Sequence, residues 1–299
     1  MIDIICCFND IPIGHNWDGQ SGKKKLLRNQ PISYVDQFLG LYYSIKKNWK
    51  FDYTIYLCHS LPISDESHKK LKNLDISIVN VQSPDPQNYP YLIRSNSWKL
   101  KTKGSHKLYL DIDMLALKNP SFDLEKDFLV MPCNSNQYYQ SGNPKSKQKV
   151  FDMCNTILKP PARTWNVREN ILNDLWVGKL SYEQYITCNF LPHFNGGSIL
   201  MKNDLSSSFA DNWWSNFISM IKTWNRGSKE LQPLLYCDGL TILKMSNNWS
   251  IFELGFNYFD GARFCVNSNL FDKNKISLYH YVHSHHLYER FGDYFNHIN

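Results

Sequence analysis

The sequence predicts an α/β protein with a mostly parallel central sheet and helices on both faces. Three observations carry that prediction. Short apolar runs alternate with helix-period segments through the first half of the chain, the order that builds parallel strands joined by helical crossovers. Proline- and glycine-rich breaks separate these segments. The 299 residues are 42% hydrophobic and 15% aromatic, with nine Trp, enough to bury a large core. That composition excludes a disulfide-stapled mini-domain and a low-complexity disordered chain.

The elements follow in order. Ile2 to Phe8 is a short apolar run and reads as a buried strand. Asn9 to Pro31 is a polar loop. Tyr34, Phe38, Leu41, Ile45 and Trp49 recur at helical spacing, with Ser33 placed as N-cap. Tyr53 to Cys58 is a second strand. Ser64 to Leu74 reads as a polar helix whose acidic start suits the positive end of its dipole. Ile76 to Val81 is a third strand, and Pro84, Pro86 and Pro90 break the chain after it. Ser97 to Lys103 reads as one or two helical turns. Lys107 to Asp113 is a fourth strand.

The second half is less regular. Phe128 to Pro132 and Phe194 to Met201 read as strands. The intervening 134–189 stretch is polar and ambiguous. Phe209, Trp213, Phe217, Met220 and Trp224 mark an amphipathic helix, and Ile276 to Val282 a late strand. No internal repeat and no linker divides the chain, so a single domain over 1–299 is expected.

Charge and cysteine content narrow the function classes. The net charge is +6, and the only dense basic run is Lys23-Lys24-Lys25. A nucleic-acid binder concentrates its basic residues, so that class is disfavoured. No run reaches the ~18 apolar residues of a membrane-spanning helix. Met1 to Phe8 lacks the basic start and cleavage site of a signal peptide. The eight cysteines include no C-x-x-C pair, and several sit in apolar runs. That usage suits buried thiols in a reducing, cytoplasmic compartment.

Three motifs carry chemistry. The sharpest is Leu108-Tyr109-Leu110-Asp111-Ile112-Asp113. Strand side chains alternate, so Asp111 and Asp113 are expected on one face. Two adjacent carboxylates repel each other and call for a cation, and hard oxygen ligands suit Mg²⁺ or Mn²⁺. The second is His193-Phe194-Asn195-Gly196-Gly197. Asn can hydrogen-bond sugar hydroxyls in both senses, and paired glycines admit a close ligand. The same residues also fit a plain turn entering a strand. The third is Leu278-Tyr279-His280-Tyr281-Val282-His283-Ser284-His285-His286, a histidine cluster that fits either a metal site or an ordinary core position for His280. An imidazole beside two carboxylates shifts preference toward Mn²⁺.

In this order the motifs resemble the GT-A glycosyltransferases, most closely the retaining family 8 type that includes glycogenin and bacterial galactosyltransferases. That family has D-x-D after an apolar strand, then F-N-[AG]-G, then H-[FY]-x-G-x-x-K-P-W near the C-terminus. Here Asp111-Ile112-Asp113 and Phe194-Asn195-Gly196-Gly197 match the first two. The third is matched in part: His283 stands for the family Gly, His286 for the Lys, and Leu287-Tyr288 for Pro-Trp. Asn96-Ser97-Trp98-Lys99-Leu100 is similar to the family's [ST]-x-x-K-L segment.

The resemblance implies a GT-A fold and a set of roles. Residues 1–130 would form the nucleotide-sugar-binding half and 131–299 the acceptor-binding half. Asp111, Asp113 and His280 would hold Mn²⁺ (or Mg²⁺). Cys7, Phe8 and Asn9 would hold the base and ribose. Lys99, Ile112 and His286 would lie along the donor, with His286 at the diphosphate. Asn195, Gly196 and Gly197 would face the donor sugar or acceptor. Asp238 would stand near the reaction centre, in the place of the family's D-Q segment; its residues alone fit an Asp-Gly turn equally well. The implied activity is hexose transfer from a nucleotide diphosphate sugar, UDP-hexose in particular, to a hydroxyl of a glycan, lipid or protein acceptor. Two other readings compete. One is a non-catalytic nucleotide-sugar-binding module, and the other a haloacid-dehalogenase-like phosphatase, whose D-x-D usually lies on the first strand. The aromatic and basic C-terminus admits peripheral membrane contact.

Overall fold

A computed structural model of the chain describes residues 1–10, 26–27, 30–83, 92–132, 194–224, 232–253, 255–256, 258–259, 272–281 and 291–298, with Lys179, Ser181 and Gln184. The 134–189 stretch, apart from those three residues, and His283 to His286 lie outside the described residues.

The strands are β1 (Ile2–Cys7), β2 (Leu26–Leu27), β3 (Gln30–Pro31), β4 (Tyr53–His59), β5 (Ser77–Asn80), β6 (His106–Leu110), β7 (Met114–Ala116), β8 (Phe128–Pro132), β9 (Phe194–Lys202), β10 (Trp249–Ile251), β11 (Tyr258–Phe259) and β12 (Leu278–His280). The helices are α1 (Tyr34–Asn48), α2 (Asp65–Leu71), α3 (Ile93–Ser97), α4 (Ser206–Trp224) and α5 (Gln232–Met245). Seven strands form the main sheet in the order β10-β8-β9-β6-β1-β4-β5. Strands β6, β1, β4 and β5 are parallel, and β10 is parallel to β8. Only β9 runs against its two neighbours. The predicted mostly parallel sheet is therefore present. Strand order turns at β1, which has β4 on one side and β6 on the other. Ligands of open α/β sheets bind at the carboxyl ends of strands flanking such a switch.

Alternation along β1 explains why both faces are covered. Ile4 and Cys6 pack in the main core with Phe38 and Leu41 of α1. Ile5 packs in a second cluster with Cys58, Tyr109 and Ile93 of α3. Each fully buried aliphatic side chain contributes roughly 1.5–3 kcal/mol. The stripe expected on α4 is buried at Phe209, Trp213 and Phe217. Trp98 meets Phe209 and Trp213 edge-on at 4.8 and 5.6 Å between ring centres. Ser33 caps α1 as read, accepting from Asp36 N at 3.1 Å, and Ser64 lies just before α2 as its cap, accepting from Ser67 N at 3.3 Å.

Four readings need correction. The fourth strand stops at Leu110, not Asp113. The chain leaves the main sheet at Asp111–Asp113 and enters β7, which belongs to a separate three-stranded sheet, β11-β12-β7. The helical turns lie at Ile93–Ser97 and not over 97–103. The ammonium of Lys107 takes the carbonyls of Trp98 (2.7 Å) and Leu100 (2.6 Å), which a longer helix would need as acceptors. Asp238 is inside α5, so the Asp-Gly turn is not formed. Within the polar loop, Leu26–Leu27 and Gln30–Pro31 pair as a small antiparallel ladder.

Candidate active site

The carboxyl end of β6 delivers two acids, and β12 delivers His280. Its pairing with β7 sets His280 opposite Met114, the residue after Asp113. Tyr281 N donates to Asp113 O at 3.0 Å and locks that register. His280 Nε2 then lies 3.2 Å from Asp113 Oδ1 and 3.9 Å from Asp111 Oδ2. The ligating atoms of all three residues fall within 4.8 Å of one another, the only such cluster of His, Cys, Asp or Glu among the described residues. Partial burial and then the charge of Asp113 push the Asp111 carboxyl above its ordinary range, while His280 and Arg94 oppose that rise. Two carboxylates facing one imidazole leave the cluster negative whatever the histidine's protonation state. The donor set, two hard oxygens and one nitrogen, fits Mn²⁺ and also Mg²⁺.

Neighbours orient these three side chains. Tyr109 OH donates to Asp111 Oδ1 at 3.0 Å, and burial keeps that phenol well above its usual pKa, so it remains a donor. Asp111 N donates to Gly197 O at 2.8 Å. This bond carries β9's glycine pair up against the acids. A Cβ on Gly197 would come 2.6 Å from Asp111 Oδ2 and 2.8 Å from His280 Cε1. On Gly196 it would collide with Asp238 Oδ2 and lie 2.6 Å from Arg94 Nη1. Both positions therefore need glycine for close approach. Asn195 Oδ1 accepts from Gly197 N at 2.8 Å and stiffens the turn of chain.

Across the glycines lies a buried ion pair. Arg94 of α3 donates from one terminal nitrogen to both Asp238 oxygens, each at 3.0 Å. Its other nitrogen reaches Gly196 O at 3.4 Å. Trp213 Nε1 donates to Asp238 Oδ1 at 2.8 Å. The guanidinium lies over the rings of Trp213 and Trp98, 5.3 and 5.6 Å from their centres. Burial pushes the Asp238 carboxyl above its ordinary value against the pull of Arg94. Gly239 follows Asp238 inside the helix, where glycine costs roughly 1 kcal/mol against alanine. The bonds to Arg94 and Trp213 hold the segment in place.

At the end of β1, Phe8 is buried and its N–H donates to Cys58 O at 2.9 Å. Asn9 Oδ1 accepts from Ser60 N, Ser60 Oγ and Leu61 N at 2.9, 2.9 and 3.1 Å. That joins the carboxyl ends of β1 and β4. Burial raises the Cys7 thiol well above its usual pKa, and nearby Asp111 adds to the rise. Ile112 is buried between the two acids.

The structure thus brings Asp111, Asp113, His280, Asn195, Gly196, Gly197 and Asp238 together. Lys99 is elsewhere: its ammonium pairs with Asp211 at 2.5 Å in a largely exposed bridge. His286 lies outside the described residues. Arg94 was not singled out in the sequence. It sits in Leu92-Ile93-Arg94-Ser95, where nothing signals a partner 144 positions away.

No protein-family model and no curated protein matches the chain. Among solved structures, the apo form of the glycosyltransferase GlyE of Streptococcus pneumoniae TIGR4 is similar at a TM-score of 0.51 and 13% identity. That match covers 98% of this chain and 60% of that one. The galactosyltransferase LgtC, solved with donor and acceptor sugar analogues, gives 0.49 at 12% identity over 94% and 87% of the chains. Mouse xyloside xylosyltransferase 1 gives 0.47 at 12% over 93% and 97%. The first likeness establishes the fold, and the other two scores are lower.

Proposed function

Starting from a GT-A fold, we propose that this protein is a metal-dependent glycosyltransferase. It moves a hexose from a nucleotide diphosphate sugar, UDP-hexose in particular, to a hydroxyl of a glycan, lipid-linked or protein acceptor, with retention at the anomeric carbon. One observation carries the reading: Asp111, Asp113 and His280 converge at the carboxyl end of β6, beside the strand-order switch. When bound there, Mn²⁺ or Mg²⁺ supplies Lewis-acid stabilisation of the departing diphosphate.

The chain's own residues do the rest. Cys7, Phe8 and Asn9, at the end of β1, hold the base and ribose. Ile112 keeps the two acids apart within a buried turn. Gly196 and Gly197 give the sugar close access, and Asn195 meets its hydroxyls. Arg94 and Asp238 offer a donor and an acceptor side by side at the same wall. Arg94 and Trp213 hold the buried Asp238 carboxylate directly behind Gly196, so its part near the reaction centre is to fix that wall. The acceptor's proton leaves with the diphosphate. The family motif assigns that diphosphate to His286 and to Lys99, whose ammonium is paired with Asp211. Residues 1–130 form the nucleotide-sugar-binding half, and 131–299 the acceptor-binding and C-terminal half that closes the site with His280, Asn195, Gly196 and Gly197.

The setting is reducing and cytoplasmic, in keeping with free thiols at Cys6, Cys7 and Cys58. No helix among the described residues is long and apolar enough to cross a membrane. Contact with a membrane surface is through peripheral groups.

The test is release of nucleoside diphosphate from a panel of UDP-, GDP- and dTDP-sugars, with and without Mn²⁺. One donor should turn over, and Asp113→Ala should reduce that to background. Metal-independent turnover, or turnover unchanged in Asp113→Ala, would contradict the proposal.

A further inference from the structure

The last described segment lies directly behind the third ligand. Phe291 opens it, and Gly292–Ile298 forms two linked 3₁₀ turns. Phe291 and Phe295 are 2% and 1% exposed, so a segment near the chain end is anchored by two buried rings. Their contacts are with the residues on either side of His280. Phe291 lies 4.5 Å, ring centre to ring centre, from Tyr279. Phe295 meets Tyr281 edge-on at 5.9 Å. Side chains alternate along a strand, so Tyr279 points away from the face that His280 presents to the acids, and Tyr281, just past β12, packs into the main core. Phe291 therefore presses on β12 from the side opposite the cluster, and Phe295 braces the residue that follows His280.

A second tie reaches the acids' own strand. The Asn48 side-chain amide, at the end of α1, donates to Ala116 O of β7 at 2.7 Å and to Tyr294 OH at 3.1 Å. Strand β7 begins immediately after Asp113. On the other side of Phe295, α1 comes so close that a Cβ on Gly40 would lie 2.7 Å from the ring's Cε1. The segment is wedged between α1 and β12 and tied to β7.

We propose that residues 291–298 are a positioning element of the cation site, with Phe291 holding β12 from behind and Phe295 bracing Tyr281, and so fixing the His280 imidazole against Asp111 and Asp113. This rests on the metal-site reading above. By linkage the coupling is reciprocal: a cation bound at the cluster strengthens the docking of the segment.

The experiment measures Mn²⁺ alone, by titration calorimetry and by the signal of free Mn²⁺ in paramagnetic resonance. Hydrogen exchange of 278–281 and 291–298 is followed in parallel. Phe295→Ala should weaken Mn²⁺ by roughly 10- to 100-fold, the scale seen when groups that orient metal ligands are lost, and Phe295→Leu should recover most of it. Gly40→Ala is a gentler probe and covers the case in which Phe295→Ala fails to fold. Alanine favours helix α1, yet its methyl must displace the Phe295 ring, so Mn²⁺ should weaken while α1 keeps its protection. In the wild type, Mn²⁺ should slow exchange in 291–298. Unchanged Mn²⁺ affinity in both variants, in the face of lost protection over 291–298, would overturn the proposal. A wild type that binds no Mn²⁺ would instead overturn the metal-site reading. In that case exchange at 278–281 in Phe295→Ala still reports on the clamp: unchanged exchange there would overturn it as well.

Discussion

Two charged clusters face each other across Gly196 and Gly197, and they are built differently. The Arg94–Asp238 cluster is closed on itself. One cation meets one anion, a tryptophan N–H fills a further lone pair, and both residues are buried. The Asp111–Asp113–His280 cluster is not balanced: two carboxylates share one imidazole. Burial alone does not separate the two, since Asp113 and His280 are also buried. Charge balance does. A closed pair shapes a wall, whereas an excess of negative charge attracts a cation.

The largest effect expected from this contrast is on stability. Arg94→Met leaves Asp238 buried without its counter-charge, and loss of one partner from a buried pair costs roughly 3–5 kcal/mol. Chemical denaturation should show that loss. The double variant Arg94→Met/Asp238→Leu should recover much of it, because replacing a whole buried pair with apolar groups is near neutral. If Arg94→Met were as stable as wild type, the closed pair would not be a structural wall.

Next come the glycines, which divide the clusters residue by residue. Gly196→Ala drives a methyl into the ion pair, and overpacking of this kind costs about 1–3 kcal/mol. Gly197→Ala drives it into Asp111 and His280, so its main effect should be lost Mn²⁺ binding. Titration and unfolding of both variants would sharpen the comparison. Equal profiles for the two would break it.

Tyr109→Phe is nearly isosteric and removes only the hydroxyl on Asp111. Mn²⁺ affinity should fall about 10-fold, the lower end for loss of a ligand-orienting group, with the fold intact. An unchanged affinity would leave Tyr109 a packing residue.

A pH-dependent effect is expected at Lys107. Burial holds the Lys107 ammonium at a pKa of about 8, below its ordinary 10.5, despite the opposing pull of Asp3. The unfolded chain therefore keeps a proton that the folded chain has lost between these values. Stability from this group rises with pH through that window and is flat below it. Lys107→Met removes this slope, so the stability gap between wild type and variant should shift in favour of wild type between about pH 8 and about pH 10. A gap that stays constant with pH would contradict the assignment.

The legible part of the molecule is what neighbouring residues decide. Ser33 and Ser64 cap helices through atoms three residues on, and the apolar runs of β1, β4 and β6 could only be buried strands. The repulsion between Asp111 and Asp113 is legible as a demand for a cation, and the structure adds His280 to the group that could hold one. The rest depends on pairings the chain makes across distance. His280 joins the acids only because β12 pairs with β7, a strand that exists because the chain switches sheets at the two acids. Asp238 looked like half of a turn because Asp-Gly favours one locally, and a helix holds it because Arg94 and Trp213 reach it from α3 and α4. Lys99 shows the reverse case, a cation placed by motif whose nearest anion, Asp211, draws it to the surface.

The most direct test of the account is calorimetric titration with UDP, GDP and dTDP, each with and without Mn²⁺. Wild type is compared with the Asp111→Ala/Asp113→Ala double variant. The account predicts Mn²⁺-dependent binding of one nucleotide, UDP foremost, that is abolished in the variant. Binding of none of the three by wild type, or equal binding by the variant, would contradict it.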